Sequence, residues 1–461
     1  MDKDAYLEFN ASQRPALALL DAMGYTYISP ADCDKQRGSR YHVLLRDILR
    51  GQLRRLNRYV YAGAENEFSA ANIERAMEDL DEPLTDGLVR TSEKIYDALL
   101  LGKSYPETVG DGKMLSFNLR YIDWDNPQNN VFHVTEEFAV DSQDRQHNAR
   151  PDIVLFINGI PFAVIECKAP HIPVEEAVGQ MIRNQQAAYI PHLFKFAQLV
   201  VATNKNAVKY ATVGTPKKFW SVWKEQDDEW LQTRLKALVP DRMPTEQDRN
   251  IISLFSPERV YELIRYFILF DANVKKVCRY QQFFAVREIM KTIAESDEHG
   301  NRRSGVIWHT QGSGKSLTMV MLATYILMEL KDCHPRVVIV TDRKELDAQI
   351  AATFAHTRLT PARATSGRHH QHHQQVQHRR AAGGQKPLPR HLRARGRKPP
   401  LQLRPHGDPD AQRIPQRLLH WLHRHTADEK RKEHHGPVRQ ADSQVHHPGR
   451  RGGWRDCPPD L

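Results

Sequence analysis

Apolar positions recur along this chain in two periods, helical and alternating, and their succession predicts an α/β protein. Residues 10–29 carry a compact helical pattern that stops at Met23-Gly24-Tyr25, where a glycine after an apolar run reads as a helix end. Residues 38–100 read as mainly helical, with Tyr41, Val43, Leu44, Ile48 and Leu49 and later Ile95, Ala98 and Leu99 as the apolar face. Beyond a Gly/Pro break, residues 115–122 and 131–138 alternate like strands, separated by the turn-forming stretch 125–130. Two apolar runs flank Asn158-Gly159, a strong two-residue hairpin signal. A helix over 174–189 and a buried strand over 199–204 follow. Further on, Val306-Ile307-Trp308 reads as a buried strand entering a glycine-rich turn, with Leu317, Val320, Met321, Tyr325 and Leu327 at helical spacing behind it. A last buried strand starts at Val337 and leads into a helix start near Leu346.

The glycine-rich turn, Trp308-His-Thr-Gln-Gly-Ser-Gly-Lys-Ser316, reads as a phosphate-binding loop. Gly312 and Gly314 allow close approach of the backbone to an anion. The main-chain N–H groups of Gln311, Gly312, Ser313 and Gly314, with the helix N-terminus, then face the phosphates. Lys315 reaches the outer phosphates of ATP, and the Ser316 hydroxyl can ligate Mg²⁺. A glycine-rich turn between two core elements is the bland alternative; the strand and helix expected on either side argue against it. His309 stands where the generic loop has its first glycine.

The hairpin holds a second constellation. Period two puts Val164, Glu166 and Lys168 on one face of the second strand and Ala163, Ile165 and Cys167 on the other. A Glu and a Lys within an apolar strand are costly to bury unless paired or metal-bound. Asp152 enters from the partner strand. Asp152 and Glu166 together can hold Mg²⁺, while Lys168 can orient the attacking water and offset charge growing on phosphorus. A salt-bridged pair on a solvated strand is the default for such a pattern; the Pro151-Asp152 entry, the hairpin and the flanking aliphatics raise it to the Pro-Asp…Glu-x-Lys, or PD-(D/E)xK, nuclease motif. Gln185 and Tyr189 fall at i and i+4 on the predicted following helix. They either steady the catalytic carboxylates or DNA, or are ordinary helix surface. Glu8 could join a metal site, but reads first as a solvated carboxylate at a helix end.

Charge adds less than its sum suggests. The formal net charge is +10, yet residues 362–461 carry 21 Lys and Arg against 8 Asp and Glu, leaving the first 361 with 45 against 48. The same stretch holds 14 of the 23 histidines and no Phe, Tyr, Met or Asn, so it is expected to be disordered. A His/Gln tract suits a metal and a basic tail suits nucleic acid. The abruptness of the change favours a third reading, out-of-frame translation that carries no function. The five cysteines, Cys33, Cys167, Cys278, Cys333 and Cys457, show neither disulfide nor zinc spacing. Without a signal-like N-terminus or a membrane-length apolar run, the expectation is a cytoplasmic protein with no membrane partner.

Taken in order, these motifs resemble the N-terminal part of the motor and endonuclease (R) subunit of type I restriction enzymes, across roughly residues 1–361. The nuclease signature Asp152, Glu166 and Lys168 with Gln185 and Tyr189 comes first. Arg279-Tyr-Gln-Gln-Phe-Phe-Ala285 follows, similar to an adenine-reading glutamine motif with Gln282 best placed. The phosphate loop, with the family's own His309, comes next. Then Val337-Val-Ile-Val-Thr-Asp-Arg343, with Leu346, Asp347 and Gln349, resembles a strand-contacting motif of superfamily 2 helicases.

The resemblance implies a RecB-like nuclease domain over 1–255, an incomplete RecA-like ATP-binding motor domain over 256–361 and the tail over 362–461. It also implies ATP and Mg²⁺ as cofactors, double-stranded DNA as substrate, and methyltransferase (M) and specificity (S) subunits as partners. The Asp-Glu-x-His box, the later coupling motif and the second RecA-like domain are not found after the Val337 strand. The expectation is therefore a truncated motor lacking ATPase and translocase activity. Two alternatives stand beside this one: a non-catalytic remnant that docks to a methyltransferase or DNA, and another superfamily 2 helicase-nuclease such as a type III subunit, which usually carries its nuclease at the far end.

Overall fold

The computed structural model describes residues 3–295, 298, 301–310, 312–330, 335–341, 350 and 353–354, and the backbone of 376–380. All of them lie in the first of the chain's two units, residues 1–420. Six strands build its principal sheet, in the order β1 (Thr26–Tyr27), β2 (Phe132–Glu136), β3 (Ile153–Ile157), β4 (Ile160–Lys168), β5 (Leu199–Asn204) and β6 (Ala207–Ala211). The β1–β2 and β4–β5 pairs are parallel and the other three antiparallel, so the fold is mixed α/β. Every residue of β3 and β5 is buried, as are all of β4 but Lys168. These are the aliphatic runs of a sheet covered on both faces.

The β3–β4 hairpin is the expected one. Asn158 (φ 53°) and Gly159 (φ 82°) make its turn, both in the left-handed region that an Asn-Gly pair tolerates. A Cβ at Gly159 would lie 2.7 Å from the Leu45 carbonyl oxygen, so the turn abuts the start of the Arg46–Leu56 helix. The parallel step from β4 to β5 requires a crossover, and the Val174–Asn184 helix supplies it, packing its Val174, Ala177, Val178 and Met181 face onto these strands.

The N-terminal helix changes register along its length. Lys3–Glu8 is α, Phe9–Gln13 is a π turn and Arg14–Ala22 is α again. Gly24, at φ 98°, follows its end as expected.

The stretch 38–100 is not helix alone. Between the helices Arg46–Leu56 and Ala70–Leu80, Arg58–Tyr61 pairs antiparallel with Ala64–Glu67. The turn residues Ala62 and Gly63 have φ 51° and 82°, and Tyr59 stacks on Phe117 at 4.2 Å. That stacking joins segments almost sixty positions apart, which local periodicity does not register.

Beyond the sheet, helices Glu246–Phe255 and Pro257–Tyr266, a hairpin of Ile268–Asp271 with Val274–Val277, and helix Tyr280–Ala294 lead to helix Lys315–Glu329. This last helix is seated on the preceding ones: Tyr325 stacks on Tyr266 with centroids 4.1 Å apart, and its hydroxyl donates to Glu262 at 3.2 Å. The strand expected at 306–308 does not form. Val306 is 71% and Trp308 84% exposed, because a strand needs hydrogen-bonded neighbours and none of the described strands pairs with this segment.

Val337–Thr341 is a strand, but it is half-buried, with Val337 and Ile339 inward and Val338 and Val340 exposed. Its parallel neighbour is 376–380, in the stretch expected to be disordered. Main-chain pairing along an open edge requires no apolar side chains, so composition did not reveal it. The remaining residues of 362–461, Asp342, Arg343, Leu346, Asp347, Gln349, Cys333 and Cys457 lie outside the described residues.

Among the described residues no helix is long and apolar enough to cross a membrane.

Candidate active site and phosphate-binding loop

Asp152 precedes β3 and Glu166 lies near the end of β4. The antiparallel pairing brings both to one end of the sheet, with Lys168 beside them. Both acids are buried, Asp152 at 6% and Glu166 at 0% exposure. The Cys167 N–H donates to Asp152 Oδ2 at 2.6 Å, tying the first acid to the strand that bears the second. Lys168 Nζ lies 3.3 Å from Glu166 Oε1 and 3.5 Å from Glu8 Oε2, and it also donates to the Cys167 carbonyl at 2.8 Å. Glu8 is therefore no solvated helix-end carboxylate. Residues 160 positions away in sequence meet it, a contact that no local pattern encodes.

Electrostatics follow from burial. Desolvation raises the Asp152 carboxyl to about 7 against the opposing charge of Lys168. Burial, then the charge of Asp152, pushes Glu166 well above the carboxylate range. Burial also raises Glu8. Desolvation disfavours the Lys168 ammonium, but the charges of Glu166, Asp152 and Glu8 outweigh it and its pKa is raised. Three acids and one lysine thus compete for protons in a space that disfavours net charge.

Glu166 Oε2 is buried and has no hydrogen-bond partner among the described residues. A buried carboxylate oxygen without a donor is costly unless a cation meets it. Among the described residues no group of three or more His, Cys, Asp or Glu side chains is arranged to hold a metal. An ion at Glu166 Oε2 would be left with Asp152 and Glu166 as its protein ligands, and water would have to fill the rest of an octahedral shell. Mg²⁺ accepts that arrangement.

Gln185 and Tyr189 are not on one helix face. The helix ends at Asn184, whose carbonyl accepts the Ile190 N–H at 3.1 Å, and Pro191 opens the next helix. Gln185 donates to Met181 O at 3.0 Å and accepts the Gly214 N–H at 2.8 Å. Tyr189 lies between the His147 ring, 6.0 Å away, and the Arg183 guanidinium, 5.5 Å away. Neither hydrogen-bonds the carboxylates.

At the second site, Gly312 (φ 76°) and Gly314 (φ 85°) take the left-handed conformations that the loop requires, and Lys315 and Ser316 open the helix. Lys315 Nζ donates to His309 O at 2.8 Å, Ser313 Oγ donates to Thr310 O at 2.7 Å, and Gln311 lies outside the described residues. His309 is pushed below its usual pKa, first by burial and then by Lys315. Gln282 Nε2 donates to Gly314 O at 3.2 Å, while its Oε1 accepts the Arg279 N–H at 2.8 Å. Gln282 thus sits on the loop itself.

The family model described as type I restriction enzyme R protein N terminus matches residues 5–219, a span that contains the whole sheet and the acidic pair. This stretch is an R-protein N-terminal region. A second model, the SWI2/SNF2 ATPase, matches residues 281–382, from Gln282's helix through the glycine-rich loop.

The chain is 30% identical over 297 residues to the type I restriction enzyme HindI endonuclease subunit of Haemophilus influenzae, covering 60% of this chain and 27% of that one. It is 28% identical over 387 residues to the putative type I restriction enzyme MjaIXP endonuclease subunit of Methanocaldococcus jannaschii, covering 79% and 35%. Against the SsaAORF53P endonuclease subunit of Staphylococcus saprophyticus it is 29% identical over 240 residues, covering 51% and 23%. The chain therefore spans between 23% and 35% of these relatives' lengths. The acidic pair falls within the R-protein N-terminal region and the glycine-rich loop within the stretch matched by the ATPase model.

Proposed function

We propose that the R-protein N-terminal region is a PD-(D/E)xK endonuclease domain, and that the chain serves as part of a cytoplasmic type I restriction enzyme acting on double-stranded DNA. The observation that carries this reading is the buried Asp152–Glu166 pair beside Lys168, with one Glu166 oxygen left without a partner. Asp152 and Glu166 would hold Mg²⁺, which when bound supplies charge to the scissile phosphate and lowers the pKa of its water. Lys168, held charged by three acids, would face the charge growing on the phosphate oxygens.

The second site reads as an ATP-binding loop of a superfamily 2 motor. Lys315 would leave the His309 carbonyl for the outer phosphates, Ser316 would ligate a second Mg²⁺, and Gln282 would lie at the adenine side. The names of the relatives, all endonuclease subunits of type I restriction enzymes, fit a protein that works with methyltransferase and specificity subunits. ATP-driven translocation belongs to that assembly.

Incubating the purified chain with supercoiled DNA and Mg²⁺ tests the reading. Nicking that disappears in Asp152→Ala and Lys168→Ala supports it. Nicking that survives both, or no Mg²⁺ binding at the acidic pair, overturns it.

A further inference from the structure

The π turn at Phe9–Gln13 gives the N-terminal helix a second point of contact with the acidic pair. Its defining bond runs from the Arg14 N–H to the Phe9 carbonyl, five residues back. In an α-helix residues five apart are about 140° apart around the axis, at about 100° per residue. A turn closed by i→i+5 bonds brings them nearly onto one face. Glu8 and Gln13 are five apart, and both reach the site: Glu8 Oε2 lies 3.5 Å from Lys168 Nζ, and Gln13 Nε2 lies 3.3 Å from the Asp152 carbonyl oxygen. An uninterrupted α-helix would present only one of them.

Gln13 is 2% exposed, and its carboxamide has a second acceptor, Glu137 Oε1 at 3.4 Å. Glu137 itself sits at φ 48°, an unfavourable conformation for a residue with a Cβ, and from there its N–H also donates to the Asp152 carbonyl, at 2.9 Å. Arg150 Nε holds the other Glu137 oxygen at 3.1 Å. The main chain of Asp152 is thus fixed by two donors, while its carboxylate is fixed by a third, the Cys167 N–H.

We infer that Gln13 is a positioning residue for the acidic pair, brought to Asp152 by the π turn that also aims Glu8 at Lys168. The inference rests on the metal-dependent nuclease reading. Gln13 does not touch the ion; it sets the backbone from which Asp152 reaches it. Groups that orient metal ligands in this way typically change metal affinity about tenfold or more when removed.

The test is Mg²⁺ binding to the full chain, followed by calorimetric titration and by Tb³⁺ luminescence as a second probe, alongside the melting temperature. Gln13→Met keeps the volume and loses both donations. The expected result is an affinity about tenfold weaker with little change in melting temperature, whereas a purely structural role would lower melting and leave the affinity alone. Unchanged affinity in Gln13→Met overturns the inference. Asp152→Asn separates the two readings: if it too leaves Mg²⁺ binding unchanged, the metal site itself is wrong, while loss of binding in Asp152→Asn with none in Gln13→Met defeats only the role of Gln13.

Discussion

Asp152 Oδ2 accepts the main-chain N–H of Cys167 at 2.6 Å, so the first acid of the pair is held by the strand that carries the second. Glu166 has no such donor for its Oε2, and it is the more costly of the two to bury. Glu166→Gln should therefore raise the melting temperature of the metal-free protein while abolishing Mg²⁺-dependent cleavage. Replacing a carboxyl whose Oε2 is buried without a partner is expected to be worth about 1–3 kcal/mol, the usual range for an unsatisfied buried polar group. Thermal unfolding in EDTA, paired with a nicking assay, checks both halves. A variant less stable than the parent would mean that Oε2 has a partner in solution.

The same pair makes stability depend on pH. Asp152 is raised to about 7 by burial, so between the ordinary carboxylate range and pH 7 the folded state holds a proton that the unfolded chain has lost. Stability in that window falls as pH rises. Without metal the melting temperature should decline from about pH 5 to about pH 7, and Asp152→Asn should flatten the decline. Mg²⁺ should reverse the slope, because it needs the ionised form. A metal-free profile that rises with pH across this window, in parent and variant alike, would place Asp152 in a solvated, ion-paired setting instead.

How much of this was readable beforehand depends on the range over which each feature is decided. Asn158 and Gly159 announce their turn because φ preferences are local. Asp152, Glu166 and Lys168 follow from that turn and a period of two. The helix behind Gly314 was likewise visible in its own apolar spacing.

Glu8 and Gln13 were not visible in that way. Their meeting with Lys168 and Asp152 spans 160 and 139 positions, and the π turn that aligns them breaks the very period used to find helices. The end of the Val174–Asn184 helix escaped for a related reason: residues up to Tyr189 are acceptable in a helix, and the chain reverses there because Ile190 returns to the Asn184 carbonyl. Val306 and Trp308 have strand-like composition, yet a strand exists only beside another strand.

The hairpin turn offers a test of fold rather than chemistry. At Gly159 a Cβ would meet Leu45 O at 2.7 Å and Leu49 N at 3.0 Å, both main-chain atoms that cannot move aside as a side-chain tip does. Gly159→Ala adds the left-handed penalty of about 1–2 kcal/mol to that clash. We expect a clear drop in the denaturation midpoint, and weaker Mg²⁺ binding as β3 and β4 shift register. Gly63→Ala, at a similar φ of 82° but with open space around it, should cost only the conformational part. Equal losses at the two sites would show that the contact with the Arg46–Leu56 helix does not constrain the hairpin.

Gly314 poses the corresponding question at the glycine-rich loop. Its φ is 85°, and a Cβ there would lie 2.7 Å from Gln282 Nε2, the atom that donates to the Gly314 carbonyl. Unlike the main-chain atoms at Gly159, this neighbour is the end of a side chain, so Gly314→Ala should displace Gln282 rather than unfold the region. Displacement removes the restraint that Gln282 places on the loop while leaving Lys315 intact. The expected outcome is reduced binding of a fluorescent ATP analogue with a modest loss of stability, whereas Lys315→Ala should abolish binding with none. Gln282→Ala should then restore room for the methyl group, and in the Gly314→Ala background it should cost less affinity than it does in the parent, a non-additivity that a double-mutant cycle reads directly. Strict additivity of the two changes would mean that Gln282 and Gly314 do not act on the nucleotide through their contact.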